Sequence, residues 1–295
     1  MQAGLKRRLG GLPDWARWSA TPYPPGHYHS PLPDLHVAPI AGEVEDPPAT
    51  LPGIDLRVDA QRALAQEFFG YYPDMPFEEE PKDGLRYHLD CTWFAHGDAT
   101  ALHCMLRHLK PARYVELGSG WSSACALDTA ELFLDNAVEF TFIDPNPERL
   151  RSVLRPSDNV RIIDTGAEVD WSMVSQLEAG DVLFIDSSHV SKYGSEVNRL
   201  FLDIFPRLPA GVNIHVHDIF WPFSYPVRWL NKGRAWNEAY LLRAWLCDNP
   251  RAEITWFNSY LSYAARAEIG PKMPAWDIDP GTSIWIQTVQ ERRPA

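Results

Sequence analysis

Two clusters of chemically capable side chains stand where apolar runs end. Asp186-Ser187-Ser188-His189 follows Val182-Leu183-Phe184-Ile185, and His215-Val216-His217-Asp218 closes a second run. Two imidazoles with one or two carboxylates in a cleft make a site for a divalent metal, and the two-His-one-carboxylate set suits iron(II) especially. The same groups also fit acid–base work without a metal. A neutral imidazole near pH 7 is matched to taking a proton from an attacking hydroxyl, and a metal does a related job by lowering the nucleophile's pKa. His189 and His217 are therefore candidate catalytic residues, and the spacing alone leaves both mechanisms open. His215 shares a strand face with His217 and reads as a core histidine.

A third cluster points to a ligand. Tyr114-Val115-Glu116-Leu117-Gly118-Ser119-Gly120-Trp121-Ser122-Ser123 reads as a strand, a glycine turn and a helix, and Phe140-Thr141-Phe142-Ile143 then stops at Asp144. Bare backbone at such a turn lets a nucleoside approach, and a carboxylate after the next strand can hold ribose hydroxyls. A dinucleotide fingerprint places a third small residue at 123, where Ser123 stands, so an NAD-type oxidoreductase stays open. Glu116, two residues before the first glycine, is not part of that pattern.

These groups need a scaffold that brings strand ends together. Helices are expected over Asp59 to Tyr71, Asp98 to Leu109, Ser122 to Leu134, Pro147 to Leu154, Trp171 to Leu177, Ser195 to Leu208 and, as one long element, Val227 to Cys247. Strands are expected over Ala112 to Leu117, Phe140 to Asp144, Val160 to Asp164, Asp181 to Asp186 and Gly211 to Asp218. Two late strands, Ala252 to Asn258 and Ser283 to Gln287, show no convincing helix between them. Alternating units of this kind make an α/β fold, a Rossmann-like seven-stranded, mostly parallel sheet with an antiparallel final pair. In a parallel sheet all three clusters emerge at the carboxyl edge, where open α/β folds bind ligands.

Residues Glu116 to Ser123 resemble the first motif, E/D-x-G-x-G, of the class I S-adenosylmethionine-dependent methyltransferases. The Methyltransf_24-like branch of that superfamily also has segments similar to Phe142 to Leu150, Asp181 to His189, His215 to Phe223, Trp236 to Leu241, Ser283 to Trp285 and Pro24 to Tyr28. The resemblance implies that Glu116, Gly118, Ser119, Gly120, Ser122, Asp144, Ala167 and Asp186 hold S-adenosylmethionine. Relatives commonly carry Gln-Asp-Val where this chain has Ala167-Glu168-Val169, so the adenine side departs from the pattern. Catechol-type members hold magnesium at comparable strand ends. By that similarity Asp186, His217 and Asp218 are ligand positions for a divalent metal, iron or magnesium, with His189 as a further ligand or the general base. The implied activity is methyl transfer to a small molecule, most simply at oxygen. The alternatives are a metal-dependent or NAD-type enzyme on the same scaffold, or a binding protein without catalysis.

Composition narrows the partners. A net charge of -12 argues against nucleic acid, which needs a basic footprint. No apolar run reaches membrane-span length, and the first twenty residues lack the apolar stretch of a secretory signal. The four cysteines are far apart with no CxxC pair, which fits a reducing cytoplasm. Residues 1–85 form an irregular Pro-rich extension, a wrapping arm or a cover for the site that His27 and His29 would reach, and residues 86–295 form the catalytic domain. Trp221, Phe223, Tyr225 and Trp229 could wall a substrate pocket or simply pack. Arg228, Lys232 and Arg234 read as a solvated face, and Asp98 as a helix N-cap. A homodimer is compatible with the Trp-rich helix.

Overall fold

The apolar runs become strands in the computed structural model, which describes residues 23–34, 47–91, 93–94, 96–164 and 170–291. They are β1 Arg113–Leu117, β2 Glu139–Ile143, β3 Val160–Ile163, β4 Val182–Ile185, β5 Asn213–Val216, β6 Ala252–Phe257 and β7 Ile284–Thr288. The sheet order is β3-β2-β1-β4-β5-β7-β6. Strands β1 to β5 pair in parallel, and β7 runs antiparallel between β5 and β6. This is the Rossmann-like α/β fold. Every residue of β4 and β5 is buried, as expected of central strands covered on both faces. Strand order reverses between β1 and β4, and that switch point opens a crevice at the carboxyl edge.

One row of the sheet carries two of the polar residues noted above into the core. Register aligns Phe142, Glu116, Phe184, His215 and Trp285 across five strands. Phe184 and His215 stack with ring centroids 3.7 Å apart. His215 Nε2 lies 2.9 Å from Ser283 Oγ, and burial holds its pKa well below the ordinary value, so it is a neutral core histidine. Helix His96–Leu109 packs over the strands with residues 97–106 buried.

Three helical expectations need correction. The stretch expected as one helix over 227–247 is broken into Val227–Leu230 and Glu238–Leu246. Gly233 adopts φ +80 between them, a conformation no helix continues through. The segment between β6 and β7 holds helices Asn258–Ala264, Arg266–Ile269 and Pro274–Ile278, which bury Leu261, Ile269 and Trp276. The helix over 195–208 starts as Glu196–Arg199, widens to a π turn at Leu200–Ile204 and ends as a 3-10 turn, Phe205–Arg207. Pro206 has no N–H to bond back to Leu202, so regular α spacing fails there.

The described chain falls into two compact units. The larger unit, made of the described residues between 47 and 224 and between 236 and 291, carries the sheet. Helix Val58–Tyr71 belongs to this unit and sets Phe68 against Trp256, ring centroids 4.8 Å apart. The smaller unit includes Tyr225–Ala235, where Trp229 stacks on Tyr225 and Arg234 lies over the Trp229 ring. It also includes residues 23–34, where Tyr23, His27, Tyr28 and His29 gather their rings. Among the described residues no helix is long and apolar enough to cross a membrane. All four cysteines are free thiols.

Candidate active site

Parallel strands in step place the first residue beyond each one at a common level. Gly118 donates its N–H to Ile143 O, Asp186 to Leu117 O and His217 to Ile185 O, each at 2.9 Å. The ladder thus runs one residue past the strands and fixes the backbones of Gly118, Asp186 and His217 side by side. Gly118 is compelled by this closeness. Its φ is +79, and a Cβ there would stand 1.7 Å from the Asp186 carbonyl oxygen.

Asp144 is the next residue along that edge. Its Oδ2 accepts from Ser119 N–H at 2.7 Å and Ser119 Oγ at 2.9 Å, while Oδ1 accepts from Asn146 N–H at 2.7 Å. A carboxylate has about four lone-pair sites, so three protein donors orient it and leave capacity for a ligand hydroxyl. Helix Trp121–Phe133 begins where the turn ends, its entry closed by Gly120 N–H donating to Ser123 Oγ at 3.0 Å.

Glu116 lies beneath this turn rather than on it. Its side chain is fully buried between Phe142 and Phe184 in the sheet row and accepts from Ser122 Oγ at 2.5 Å. Burial pushes its carboxyl up to about 8, against the pull of hydrogen bonds from Ser122 and Ser123. Glu116 Oε2 has no partner. Its hydrogen-bond partner Ser122 is a lining residue of the cleft above.

The cleft above has a volume of about 940 Å³. Gly118, Ser119, Gly120, Ser122, Asp144 and Asp186 line it, whereas Glu116 does not. Ala167 lies outside the described residues. Trp93, Trp121 and Trp171 add aromatic walls, and Arg149 reaches over the Trp93 ring. None of these four was singled out from the sequence, although Trp121 directly follows the glycine turn. Trp221 and Phe223 are not wall residues of this cleft; they pack on Tyr260 and Phe257.

At the β4–β5 end of the edge the histidines and acids converge. One ligand atom each from Asp186, His217 and Asp218 fall within 4.8 Å of one another. His189 stands beside this group, outside the mutual 4.8 Å set, with Nε2 3.2 Å from Asp186 Oδ1 and 3.6 Å from Asp218 Oδ2. Asn237 and Glu238 both donate backbone N–H groups to the His189 carbonyl, at 3.1 and 3.2 Å, which fixes this loop. His189 and Asp218 both take left-handed backbone conformations, φ +57 and +60, a strain that clusters at functional sites.

The electrostatics follow from the crowding of carboxylates. Burial disfavours charge on His217, but Asp186, Asp218 and Asp98 outweigh it and raise its pKa well above the ordinary value. Burial likewise opposes charge on His189, and hydrogen bonds to Asp186 and Glu238 bring it to about 10. Asp186 stays below the usual carboxylate range because His217 and His189 overcome its burial.

Two carboxylates behind the histidines escape any reading of the sequence. Asp98 is no N-cap; it sits within its helix, buried, accepting from Asn258 Nδ2 at 3.0 Å and from the N–H groups of Thr282 and Ser283 at 2.9 and 2.8 Å. Glu238 is fully buried against His189. Glu238 stands in the Trp236–Leu241 segment, but nothing local marks its partner.

Residues 115–219 match the model of a family described as a methyltransferase domain. Over 165 residues the chain is 33% identical to an uncharacterized protein of Archaeoglobus fulgidus, a match that covers 53% of this chain and 74% of that protein. Among solved structures, an SAH-bound methyltransferase of Podospora anserina is similar at 17% identity and a TM-score of 0.44, covering 79% of this chain and 88% of that one. The plantazolicin methyltransferase BamL, in complex with a triazolic analog and SAH, matches at 13% identity and a TM-score of 0.44, covering 80% of this chain and 100% of that one.

Proposed function

The chain belongs to the class I S-adenosylmethionine-dependent methyltransferases, and on that premise we propose that it methylates a small molecule at a hydroxyl oxygen. The observation that carries the proposal is the position of Asp186. It lines the cleft together with the Asp144–Ser119 cradle, and it is also one corner of the histidine–aspartate rim. A donor at the cradle and an acceptor at the rim would meet across one residue.

The residues present fit the donor. Asp144, pre-oriented by Ser119 and Asn146, would take the ribose hydroxyls. Gly118, Ser119 and Gly120 would offer bare backbone, with Ser122 beside them, and the three tryptophans would offer ring faces to the base. Bound there, S-adenosylmethionine supplies a methyl group already activated by its sulfonium, so no covalent enzyme intermediate is needed. The protein's task is alignment of the acceptor oxygen and disposal of its proton.

Asp186, His217 and Asp218, with His189, would perform that task around a divalent cation. Such a cation lowers the pKa of a coordinated hydroxyl and fixes its orientation. A cleft of about 940 Å³ lies near the top of the roughly 300–1,000 Å³ usual for small-molecule sites, which leaves room beside the donor for a small acceptor; of the rim residues Asp186 lines it, while His189, His217 and Asp218 do not.

The test is transfer of isotope-labelled methyl to a panel of phenols, sugars and hydroxy acids. The expected result is label on an acceptor oxygen with one equivalent of S-adenosylhomocysteine formed. His217→Ala should abolish turnover while cofactor binding persists. Label on nitrogen or carbon alone would reject the oxygen assignment.

A further inference from the structure

Two imidazoles in the rim are each held at one nitrogen by a buried carboxylate and turn the other toward Asp186 and Asp218. His217 Nε2 lies 3.2 Å from Asp98 Oδ2, while its buried Nδ1 has no hydrogen-bond partner. That open nitrogen stands 3.6 Å from Asp186 Oδ1 and 3.4 Å from Asp218 Oδ1. His189 also has a carboxylate at one nitrogen and the same two aspartates at the other. Its Nδ1 is 2.9 Å from Glu238 Oε2, and its Nε2 faces Asp186 Oδ1 at 3.2 Å and Asp218 Oδ2 at 3.6 Å.

Most of these inner separations are too long for N–H···O hydrogen bonds, which end near 3.2 Å. They suit a different purpose. Donors bonded to one cation at about 2.1 Å stand roughly 3.0–3.4 Å apart when tetrahedral or cis in an octahedron and about 4.2 Å apart when trans, a range that brackets the 3.2–3.6 Å separations here. Behind each ring the supporting carboxylate is buried, Asp98 at 5% and Glu238 at 0% exposure. Asp98 is further pinned by Asn258, Thr282 and Ser283. A carboxylate behind each metal-ligating histidine sets the ring's tautomer and orientation.

We propose that Asp98 and Glu238 are positioning residues of a transition-metal site, holding His217 and His189 so that two nitrogens, with Asp186 and Asp218, face one divalent first-row cation. This deepens the methyl-transfer reading, on which it rests for the role of the rim, by naming the class of cation. Magnesium takes oxygen ligands and dehydrates reluctantly. Imidazole suits iron(II), zinc and their neighbours, and half of this donor set is imidazole nitrogen. The cation serves as a Lewis acid, with no change of oxidation state.

The full chain, stripped with a chelator, is titrated with cobalt(II) and read by its visible ligand-field absorption. Magnesium(II) is the competitor, and S-adenosylhomocysteine affinity is measured by calorimetry on the same samples. Wild type should take up about one cobalt per chain and keep it against a roughly hundredfold excess of magnesium. Asp98→Asn and Glu238→Gln should each weaken cobalt binding roughly 10–100-fold and shift its absorption bands, with S-adenosylhomocysteine affinity unchanged. Among the described hydrogen bonds the Glu238 side chain makes only the one to His189, so Glu238→Gln decides the matter if Asp98→Asn does not fold. Failure of wild type to bind cobalt, its displacement by equimolar magnesium, or unchanged cobalt affinity in Glu238→Gln would overturn the proposal. Cobalt bound as expected without any S-adenosylhomocysteine binding would uphold the site and refute the methyl-transfer reading instead.

Discussion

Replacing Gly118 by alanine tests how tightly the β1 and β4 ends are drawn together. Two costs combine. The residue sits at φ +79, where an L side chain is disfavoured by about 1–2 kcal/mol. The new Cβ would also stand 1.7 Å from Asp186 O, against a C···O contact of about 3.3 Å, so the two strand ends must part by roughly 1.6 Å. That movement breaks the 2.9 Å bond from Asp186 N–H to Leu117 O and strands buried polar groups, at about 1–3 kcal/mol. The expected total is about 2–5 kcal/mol.

Gly84 provides the internal control, because it has φ +87 and nothing within 4 Å of a Cβ. Gly84→Ala should therefore cost only the backbone strain, about 1–2 kcal/mol. Urea unfolding of both variants at one pH gives the comparison. Gly118→Ala should also lose S-adenosylhomocysteine affinity, since Asp186 and the turn move together. Equal destabilisation by the two substitutions would refute the claim that the Asp186 carbonyl dictates this glycine.

Other buried groups give further outcomes. Glu116 keeps its proton to about pH 8 in the folded chain but ionises near its ordinary 4.5 when unfolded. The folded state then binds the extra proton, so this residue's stabilisation is full below 4.5 and is lost as pH rises through 8. Glu116→Gln should remove that slope, gaining on wild type by up to about 1.4 kcal/mol per pH unit between pH 5 and 8; parallel stability curves would contradict it. Arg86, with its side chain 3% exposed, pairs with Asp128 at 2.6 Å, Glu131 at 2.7 Å and Asp158. Arg86→Met leaves buried Asp128 with only the 3.8 Å approach of Arg155 as a cationic partner and should cost about 3–5 kcal/mol in denaturant unfolding. Arg86→Lys should recover little, because one ammonium cannot serve three carboxylates held by a planar guanidinium.

The sheet was legible because mostly apolar strands end at one edge in a glycine or an aspartate, Leu117 to Gly118, Ile143 to Asp144 and Ile185 to Asp186. The helices that failed did so for local reasons. Trp229, Trp236 and Tyr240 keep a helical period across Gly233, which ends the helix regardless. Gly270, Pro271 and Pro274 punctuate the segment after β6 so densely that its short buried helices have no readable period.

At the site, residues beside strand ends were visible and their supports were not. Asp98 and Glu238 lie 119 and 49 residues from the histidines they hold, and no spacing rule links them. Glu116 shows the limit of a motif. Its place in the run suggested ligand contact, whereas strand alternation puts it on the face of Tyr114, Phe142 and Phe184, inside the core.

The central claim is that a sulfonium nucleoside is held at the β1–β2 edge by Asp144. Calorimetry of S-adenosylhomocysteine and NADH against wild type and Asp144→Ala tests it most directly. The account predicts about one S-adenosylhomocysteine per chain, no NADH binding, and at least a roughly tenfold loss of affinity in Asp144→Ala, as expected for charged hydrogen bonds worth about 1.5–3 kcal/mol. NADH binding in place of S-adenosylhomocysteine, or equal affinity in wild type and Asp144→Ala, would contradict it.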